Sequence, residues 1–240
     1  MSNEFIMLLE IVVVFSIVLL SHKFFGENGL MAWMAVASCI AQIGAAKTVS
    51  ILGMGTSAGS VLFASTFLVT DILAECYGRK AAKKAVFVGL ASVLSFVIAT
   101  TFINVMAPAP ADHANDAVAA LFGLVPRISI ASIVMYFIAN MADVFIYSKL
   151  KEKTGNRFMW LRNNISTILC NGAENFFFFG LAFAGIQPWN VIFELALSTT
   201  IVETIIAVCD TPFLYLATKI GRNKERSRTD MSTGNLEPEA

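Results

Sequence analysis

The strongest constraint on this chain is a series of long apolar segments separated by short polar stretches. A helix needs about 20 mostly apolar residues to cross a bilayer core about 30 Å thick. Seven segments approach or exceed that length, at positions 5–21, 30–52, 57–76, 85–107, 128–150, 165–185 and 191–219. Pro108 and Pro110 end the fourth, because proline cannot continue a helix. The pattern predicts an all-α, polytopic membrane helix bundle of about seven transmembrane helices, a six-helix core plus an N-terminal helix.

Composition excludes the soluble classes. The 240 residues are 57% hydrophobic and 14% charged, whereas soluble domains carry about 25% charged residues. The net charge is zero, so no overall attraction to nucleic acid is expected, and the predicted surroundings are a lipid bilayer. The four cysteines are widely spaced without a CxxC motif, which favours free thiols over a disulfide framework.

Basic residues are concentrated in every second connection between the segments. Cytoplasmic connections carry the excess of Lys and Arg in membrane proteins, and that rule places the N-terminus outside and the C-terminus in the cytoplasm. The residues before the first segment are Ser2, Asn3 and Glu4, which is not a basic signal-peptide start, so a retained helix is expected. We therefore predict a transmembrane domain over 1–219 and a polar, disordered cytoplasmic tail over 220–240.

Ionisable side chains inside the apolar segments are expected to face the interior of the bundle, because each costs about 2.5–3.5 kcal/mol at the bilayer centre. They form four groups: Asp71, Glu75 and Arg79 on one predicted helical stripe; Asn140 with Asp143; Asn171, Glu174 and Asn175 before Phe176, Phe177, Phe178 and Phe179; and Glu203 with Asp210. Each group has a structural alternative, as an interhelical hydrogen bond or a snorkelling helix-end residue. The phenylalanine run is equally typical of a lipid-facing surface.

Together these groups predict a site for a small, flat, polar ligand. A carboxylate accepts two parallel N–H bonds from a guanidine-like edge, an asparagine both donates and accepts, and an aromatic ring covers the ligand face. A purine-like base fits this description, and so would an amide or an amino acid. The function class indicated is solute transport.

Catalytic and metal-binding motifs give little support to an enzyme. The segment 55–59, GTSAG, matches the nucleophile elbow G-x-S-x-G, but it is interpreted as a flexible turn in an external loop. His22 and His113 are isolated, and no Walker-type phosphate loop occurs. We expect no catalytic activity, no metal and no cofactor.

Six sequence motifs, in order and in register, make the chain resemble a known family. They are TDILAECYGRKAAKKA from Thr70, PRISIAS from Pro126, NMAD from Asn140, WLRNNIST from Trp160, NGAENFFFF from Asn171 and DTP from Asp210. The family is that of the queuosine precursor transporters, first described as vitamin uptake transporters, and the resemblance covers about 30–219.

The resemblance implies uptake of a 7-deazaguanine (preQ0, preQ1 or queuine) across the bacterial cytoplasmic, or inner, membrane. These compounds supply the queuosine modification of tRNA. The sequence departs from the family pattern at Asn140, where Gln is frequent, at Glu174, where Asp is frequent, and at Glu203, in a helix where many members carry a basic residue nearby. Which 7-deazaguanine is carried therefore stays open, as do the energy source and assembly into a homo-oligomer.

The candidate residues fall into two sets. Those predicted to bind substrate are Glu174, Asn171, Asn140, Asp143, Asn175, Phe176, Phe178 and Arg127. Those predicted to gate or support the site are Asp71, Glu75, Arg79, Arg162, Glu203 and Asp210.

Three rival functions are kept open. The first is a substrate-binding subunit of an energy-coupling-factor importer for a nucleobase- or vitamin-like solute. The second is a membrane sensor or scaffold, and the third an intramembrane hydrolase based on Ser57.

Overall fold

The computed structural model describes the backbone of residues 2–45, 47–122, 126–155, 157–185 and 187–233, and the side chains of these residues except 126–132, 182 and 222–233. Eight helices and one β-hairpin follow one another along this part of the chain. Their bounds are α1 Asn3–Phe25, α2 Glu27–Ala45, β1 Thr48–Ile51, β2 Met54–Ser57, α3 Ser60–Cys76, α4 Arg79–Val105, α5 Asn115–Phe122, α6 Pro126–Thr154, α7 Met159–Phe183 and α8 Trp189–Thr233.

The predicted all-α membrane bundle is confirmed. Among the described residues, α1, α2, α4, α6 and α8 contain segments long and apolar enough to cross a membrane. Of the other two long helices, α3 has 17 residues, at the lower limit of a span, and α7 carries several Asn, Arg and Glu side chains that lower its hydropathy. Large apolar side chains such as Phe102, Phe177 and Phe193 are exposed on the outside of the bundle, where lipid would surround them.

The second predicted segment, 30–52, is wrong at its end. α2 stops at Ala45, and residues 48–51 form the first strand of an antiparallel hairpin in which Ile51 pairs with Met54. The two-residue turn, Leu52 and Gly53, has positive φ at both positions (53° and 76°), as a type I′ turn requires. β-Branched residues in β1 favour the strand over a continued helix. Residues 55–57 of the predicted flexible turn, 55–59, belong to the second strand of this hairpin, Met54–Ser57.

Helix α3 lies at the centre of the bundle. It packs against α1, α2, α4, α6 and α8, and most of its side chains are buried. Gly59, just before α3, allows the hairpin to approach α2, because a Cβ there would lie 2.7 Å from the Ala41 carbonyl oxygen. Any polar side chain on α3 is thus held inside the protein.

The two ends of the bundle differ in character. At one end, which we call the hairpin end, α1 begins beside the hairpin, where Asn3 and Glu4 bond the Ser50 carbonyl and the Leu52 amide. At the other, the basic end, Lys151 of α6 donates to the carbonyls of Ala74 and Glu75 on α3. The seven long helices run alternately between these two ends.

Three further details differ from the sequence expectation or extend it. The placement of Arg79 on one stripe with Glu75 is wrong, because α3 ends at Cys76 and Arg79 begins α4 after Gly78, whose φ is 87°. The short helix α5 lies in the connection between the predicted segments 85–107 and 128–150. The backbone of α8 is helical to Thr233, beyond Lys219. The proposed tail, 220–240, stays a prediction, and its last residues, 234–240, lie outside the described part of the chain.

Candidate solute-binding site

A cavity of about 780 Å³ lies in the hairpin half of the bundle. Its walls come from the hairpin, from the ends of α2 and α4, from Leu121 and Phe122 of α5, from Ile133 and Tyr136 of α6, and from the outer turns of α7 and α8. This volume falls within the range of small-molecule sites, about 300–1,000 Å³. A single-ring or two-ring solute fits such a space.

The polar wall of the cavity is built from α7 and α8. Glu174 and Asn175 of α7 and Glu203 of α8 all line it. The Asn175 amide donates to Glu203 Oε2 at 2.8 Å and to Thr200 Oγ1 at 3.3 Å, which orients Glu203. Glu174 lies close enough to Glu203 for the two carboxylates to interact, and its buried Oε2 atom accepts no hydrogen bond from any described residue. The sequence predicted Glu203 as a supporting residue, and the structure places it in the wall itself.

Aromatic rings form a second wall on the same helix. Phe178, Phe179 and Phe183 line the cavity; the centroids of Phe178 and Phe179 are 5.2 Å apart, edge to face, and those of Phe179 and Phe183 are 6.0 Å apart, nearly parallel. Phe176, predicted as a ligand contact, is absent from this wall. Its ring packs against Phe193 of α8, 5.1 Å between centroids, and is 37% exposed on the outer surface. Helical geometry explains the split, since Phe176 and Phe178 lie on opposite faces.

Tyr136 is a cavity residue that the sequence analysis missed. Its hydroxyl bonds Ser38 Oγ at 2.8 Å, and it lies against α4 at Gly89, where a Cβ would overlap the tyrosine oxygen. The signal in the sequence was its place one helical turn before Asn140. A tyrosine in an apolar segment is common, however, so the sequence does not single this one out. Only the structure shows that the Tyr136 hydroxyl occupies the space that a side chain at position 89 would need.

Two predicted ligand contacts lie deeper than the cavity wall. Asn140 is fully buried, donates to the Tyr136 carbonyl at 3.0 Å and accepts from Thr66 Oγ1 at 3.4 Å. Asn171 is 1% exposed, and both polar atoms of its amide lack a partner among the described residues. Buried amides are normally satisfied, so the structure marks Asn171 as a position where a further group is expected.

Three predicted aspartates converge near the middle of the bundle. Asp71 of α3, Asp143 of α6 and Asp210 of α8 are fully buried. Asn163 of α7 donates to Asp210 Oδ1 at 2.6 Å, and Thr167 of α7 donates to Asp143 Oδ1 at 3.4 Å. The sequence motifs contained Asn163 and Thr167, but their contacts join positions more than 20 residues apart and could not be read from them.

At the basic end, Glu75 is held by three side chains from α6 and α7. Arg162 Nη2 lies 2.6 Å from Glu75 Oε2, Lys151 Nζ lies 3.4 Å from the same atom, and the Tyr147 hydroxyl donates to it at 3.1 Å. Arg162 is 1% exposed and also donates to the Gly155 carbonyl at 2.8 Å. We call this set the Glu75–Arg162 lock. Arg162 was predicted as a supporting residue, whereas Tyr147 and Lys151 were not.

Two predicted residues lie apart from these contacts. Arg79 stacks over the Phe145 ring, 5.0 Å to its centroid, and has no ion pair among the described residues. The side chain of Arg127 lies outside the described part of the structure.

Ser57, the centre of the elbow-like motif, contacts only backbone groups among its hydrogen bonds in the described structure. Its hydroxyl accepts from the Gly59 amide at 2.9 Å and donates to the Gly44 carbonyl at 3.4 Å. These bonds give Ser57 a structural role in joining the hairpin to α2 and α3.

Comparison with known proteins adds an independent line of evidence. The family model described as "Putative vitamin uptake transporter" matches residues 57–217. A "Probable queuosine precursor transporter" of Bacillus subtilis (strain 168) is 32% identical over 228 residues, which cover 95% of this chain and 100% of the relative. The "Queuosine precursor transporter" of Escherichia coli (strain K12) is 30% identical over 56% of this chain and 58% of its own length. No solved structure matches the chain.

Proposed function

The chain belongs to the family of vitamin uptake transporters, and from its site we propose that it imports a 7-deazaguanine precursor of queuosine (preQ0, preQ1 or queuine) for the modification of tRNA. The observation that carries the proposal is Glu174, which lines a cavity of about 780 Å³ and whose buried Oε2 has no donor among the described residues. The names of the relatives support the same solute class.

The solute's own chemistry fits this wall. The pyrimidine edge of a deazaguanine carries N–H and NH₂ donors side by side, and a carboxylate accepts two such parallel bonds. Glu174 would accept this edge, with Glu203 beside it as a second acceptor that Asn175 holds in place. The flat ring system would then lie against Phe178 or Phe179. Asn171, one turn deeper with an unpaired amide, would complete the set on the carbonyl side.

The remaining predicted contacts take supporting roles. The Asn140 amide joins the Tyr136 carbonyl of its own helix to the Thr66 hydroxyl of α3, and Asp143 lies below the cavity. The assignment of Arg127 to the site stays a proposal from the resemblance alone.

The direction of access follows from the distribution of charge. The basic end carries Arg79, Lys80, Lys83, Lys84, Lys149, Lys151, Lys153, Arg157 and Arg162. The positive-inside rule would put that end in the cytoplasm of a bacterium and the hairpin end, with the N-terminus, outside. The cavity would then face the exterior, and the Glu75–Arg162 lock would close the cytoplasmic side. Import requires the lock to open after the solute has bound.

The test is complementation of a bacterial strain that lacks both queuosine-precursor synthesis and its own precursor transporter. Each 7-deazaguanine is supplied at limiting concentration, and queuosine in tRNA is measured. Wild-type chain should restore queuosine by itself. A requirement for separate ATPase subunits would instead favour the energy-coupling-factor alternative, and binding without uptake would favour a sensor.

Glu174→Gln and Glu174→Ala test the site within the same assay. A hydrogen bond to a charged group contributes about 1.5–3 kcal/mol, so the concentration for half-maximal uptake should rise roughly 10- to 100-fold. Glu194→Gln is the matched control, because Glu194 belongs to α8 but is exposed on its outer face. Normal uptake by a normally expressed Glu174→Ala variant would show that the central assignment is wrong.

A further inference from the structure

The three buried aspartates form a cluster distinct from the cavity wall. Asp71, Asp143 and Asp210 come from three different helices and each is 0% exposed. The carboxyl groups of Asp71 and Asp143 are close enough for one to donate to the other when it carries a proton, and Asp210 is close enough to interact with both. None of the three lines the cavity. The cluster lies between the cavity and the Glu75–Arg162 lock.

The hydrogen-bond donors around this cluster are too few. Asp210 Oδ1 accepts from Asn163, and Asp143 Oδ1 accepts a long bond from Thr167. The hydroxyls of Thr70 and Ser166 also lie beside Asp143, but they donate to the backbone carbonyls of Phe67 and Asn163 in their own helices. Neither oxygen of Asp71 accepts a hydrogen bond from any described residue, and the second oxygens of Asp143 and Asp210 also lack one. Asp71 is thus a fully buried acceptor that faces another acceptor, an arrangement that proteins avoid unless something lies between the two.

No cation compensates for the cluster. The charged or titratable neighbours are Glu75 on α3, Tyr147 on α6, Cys170 on α7 and Cys209 on α8. Arg162 and Lys151 are both paired with Glu75, and Tyr147 donates to it as well. Among the described residues, no salt bridge reaches any of the three aspartates. Both cations of the lock are therefore paired with Glu75 and not with an aspartate of the cluster.

A proton is the ligand that satisfies this geometry. Two carboxylates in contact inside a low-dielectric interior cannot both be ionised, and they share one proton. That proton turns one carboxyl oxygen into a donor for the unpartnered Asp71. The described His, Cys, Asp and Glu side chains include no group arranged to hold a metal ion. On the basis of the import proposed above, we infer that the Asp71–Asp143 pair binds one proton, which enters from the cavity side and leaves at the basic end with each solute molecule imported.

Helix α7 connects this proton site with the solute cavity. Three residues of α7 follow one another at spacings of four and three. Thr167 bonds Asp143, Asn171 has an amide without a partner among the described residues, and Glu174 lies in the cavity wall. Residues at such spacings lie on one face of a helix. A change of charge at Asp143 therefore acts on the same helical face that holds the solute, so occupancy of the two sites can be coupled.

Infrared spectroscopy of the purified protein in lipid tests the proton itself, without any solute. At neutral pH the wild-type protein should show the C=O band of a protonated carboxyl group, and Asp71→Asn and Asp143→Asn should each lack this component. Glu152→Gln, which removes an exposed acid at the end of α6, should retain it. If the band is the same in wild type and in both aspartate variants, the inference is overturned.

Transport in liposomes tests the coupling, with labelled preQ0 and labelled preQ1 as separate probes. With the membrane potential held at zero, one proton per solute molecule and an inside-alkaline gradient of one pH unit give about tenfold accumulation of either probe. Asp71→Asn should reduce this ratio to about onefold while exchange of internal for external probe continues, and Glu152→Gln should behave as wild type.

The outcomes separate the two proposals. Tenfold accumulation by Asp71→Asn, or accumulation driven by a sodium gradient and not by a pH gradient, would overturn the proton coupling. Absence of any exchange by the wild-type protein would instead contradict the proposed solutes, and the infrared result would still decide whether the pair holds a proton.

Discussion

Replacing Arg162 by alanine should remove the main connection between α3 and α7 at the basic end. The guanidinium is 1% exposed, lies 2.6 Å from Glu75 and donates at 2.8 Å to the carbonyl of Gly155. Breaking one partner of a buried ion pair costs about 3–5 kcal/mol, because the other charge is left uncompensated. Lys151, 3.4 Å from Glu75, offsets only part of this, since it already donates to two backbone carbonyls of α3.

The expected stability loss can be measured as a melting temperature in detergent. For chains of 150–250 residues, 1 kcal/mol corresponds to about 2–4 °C, so Arg162→Ala should lower the Tm by roughly 6–20 °C. Arg157→Ala is the control, because Arg157 is exposed in the same connection and accepts from Arg162 only through its backbone carbonyl.

A double-mutant cycle isolates the ion pair from the backbone contacts of Arg162. Glu75→Ala, Arg162→Ala and the double variant should give a coupling energy within the range of about 0.5–3 kcal/mol that contacting residues show. Additive effects, or a Tm loss no larger than that of Arg157→Ala, would refute the role of the lock.

Two further predictions concern the hairpin half. Gly89→Ala should raise the concentration for half-maximal uptake several-fold, because its Cβ would overlap the Tyr136 hydroxyl and overpacking costs about 1–3 kcal/mol. Gly180→Ala is the control and should match wild type, since the space around Gly180 is open. Unchanged uptake by Gly89→Ala would contradict the packing of Tyr136 against Gly89. Ser57→Ala should keep its uptake while unfolding at a slightly lower temperature, a loss of about 0.5–1.5 kcal/mol, because the Gly59 amide loses its acceptor. Lost uptake at unchanged stability would indicate a chemical role for Ser57.

The sequence alone was sufficient for the membrane class and for most of the helices. Apolar runs such as 85–107 and 128–150 predict transmembrane helices by their length alone, because crossing a bilayer core requires a minimum length of apolar chain. The end of α2 could not be predicted in the same way. Residues 48–51 are as apolar as a helix end, and it is their pairing with Met54–Ser57 that makes them a strand.

The site shows the same division more sharply. That Glu174, Asn175 and Phe178 face inward was predictable, because polar groups in a membrane segment avoid lipid and their spacing places them together. The presence of Glu203 beside Glu174 was not, since it depends on how α7 and α8 pack. The outward position of Phe176 follows from the same spacing, because a residue two positions before Phe178 lies on the opposite face of the helix.

The acidic residues of α3 show what the sequence determines and what the tertiary structure determines. The sequence determined that Asp71 and Glu75 lie one turn apart on a buried helix and must be compensated, because an ionised group is costly in an apolar interior. Only the tertiary structure decided how. Glu75 contacts Arg162, 87 positions away along the chain, whereas Asp71 faces Asp143. Which charge meets a cation and which meets another acid depends on the packing of helices distant in sequence, and no local pattern encodes that contact.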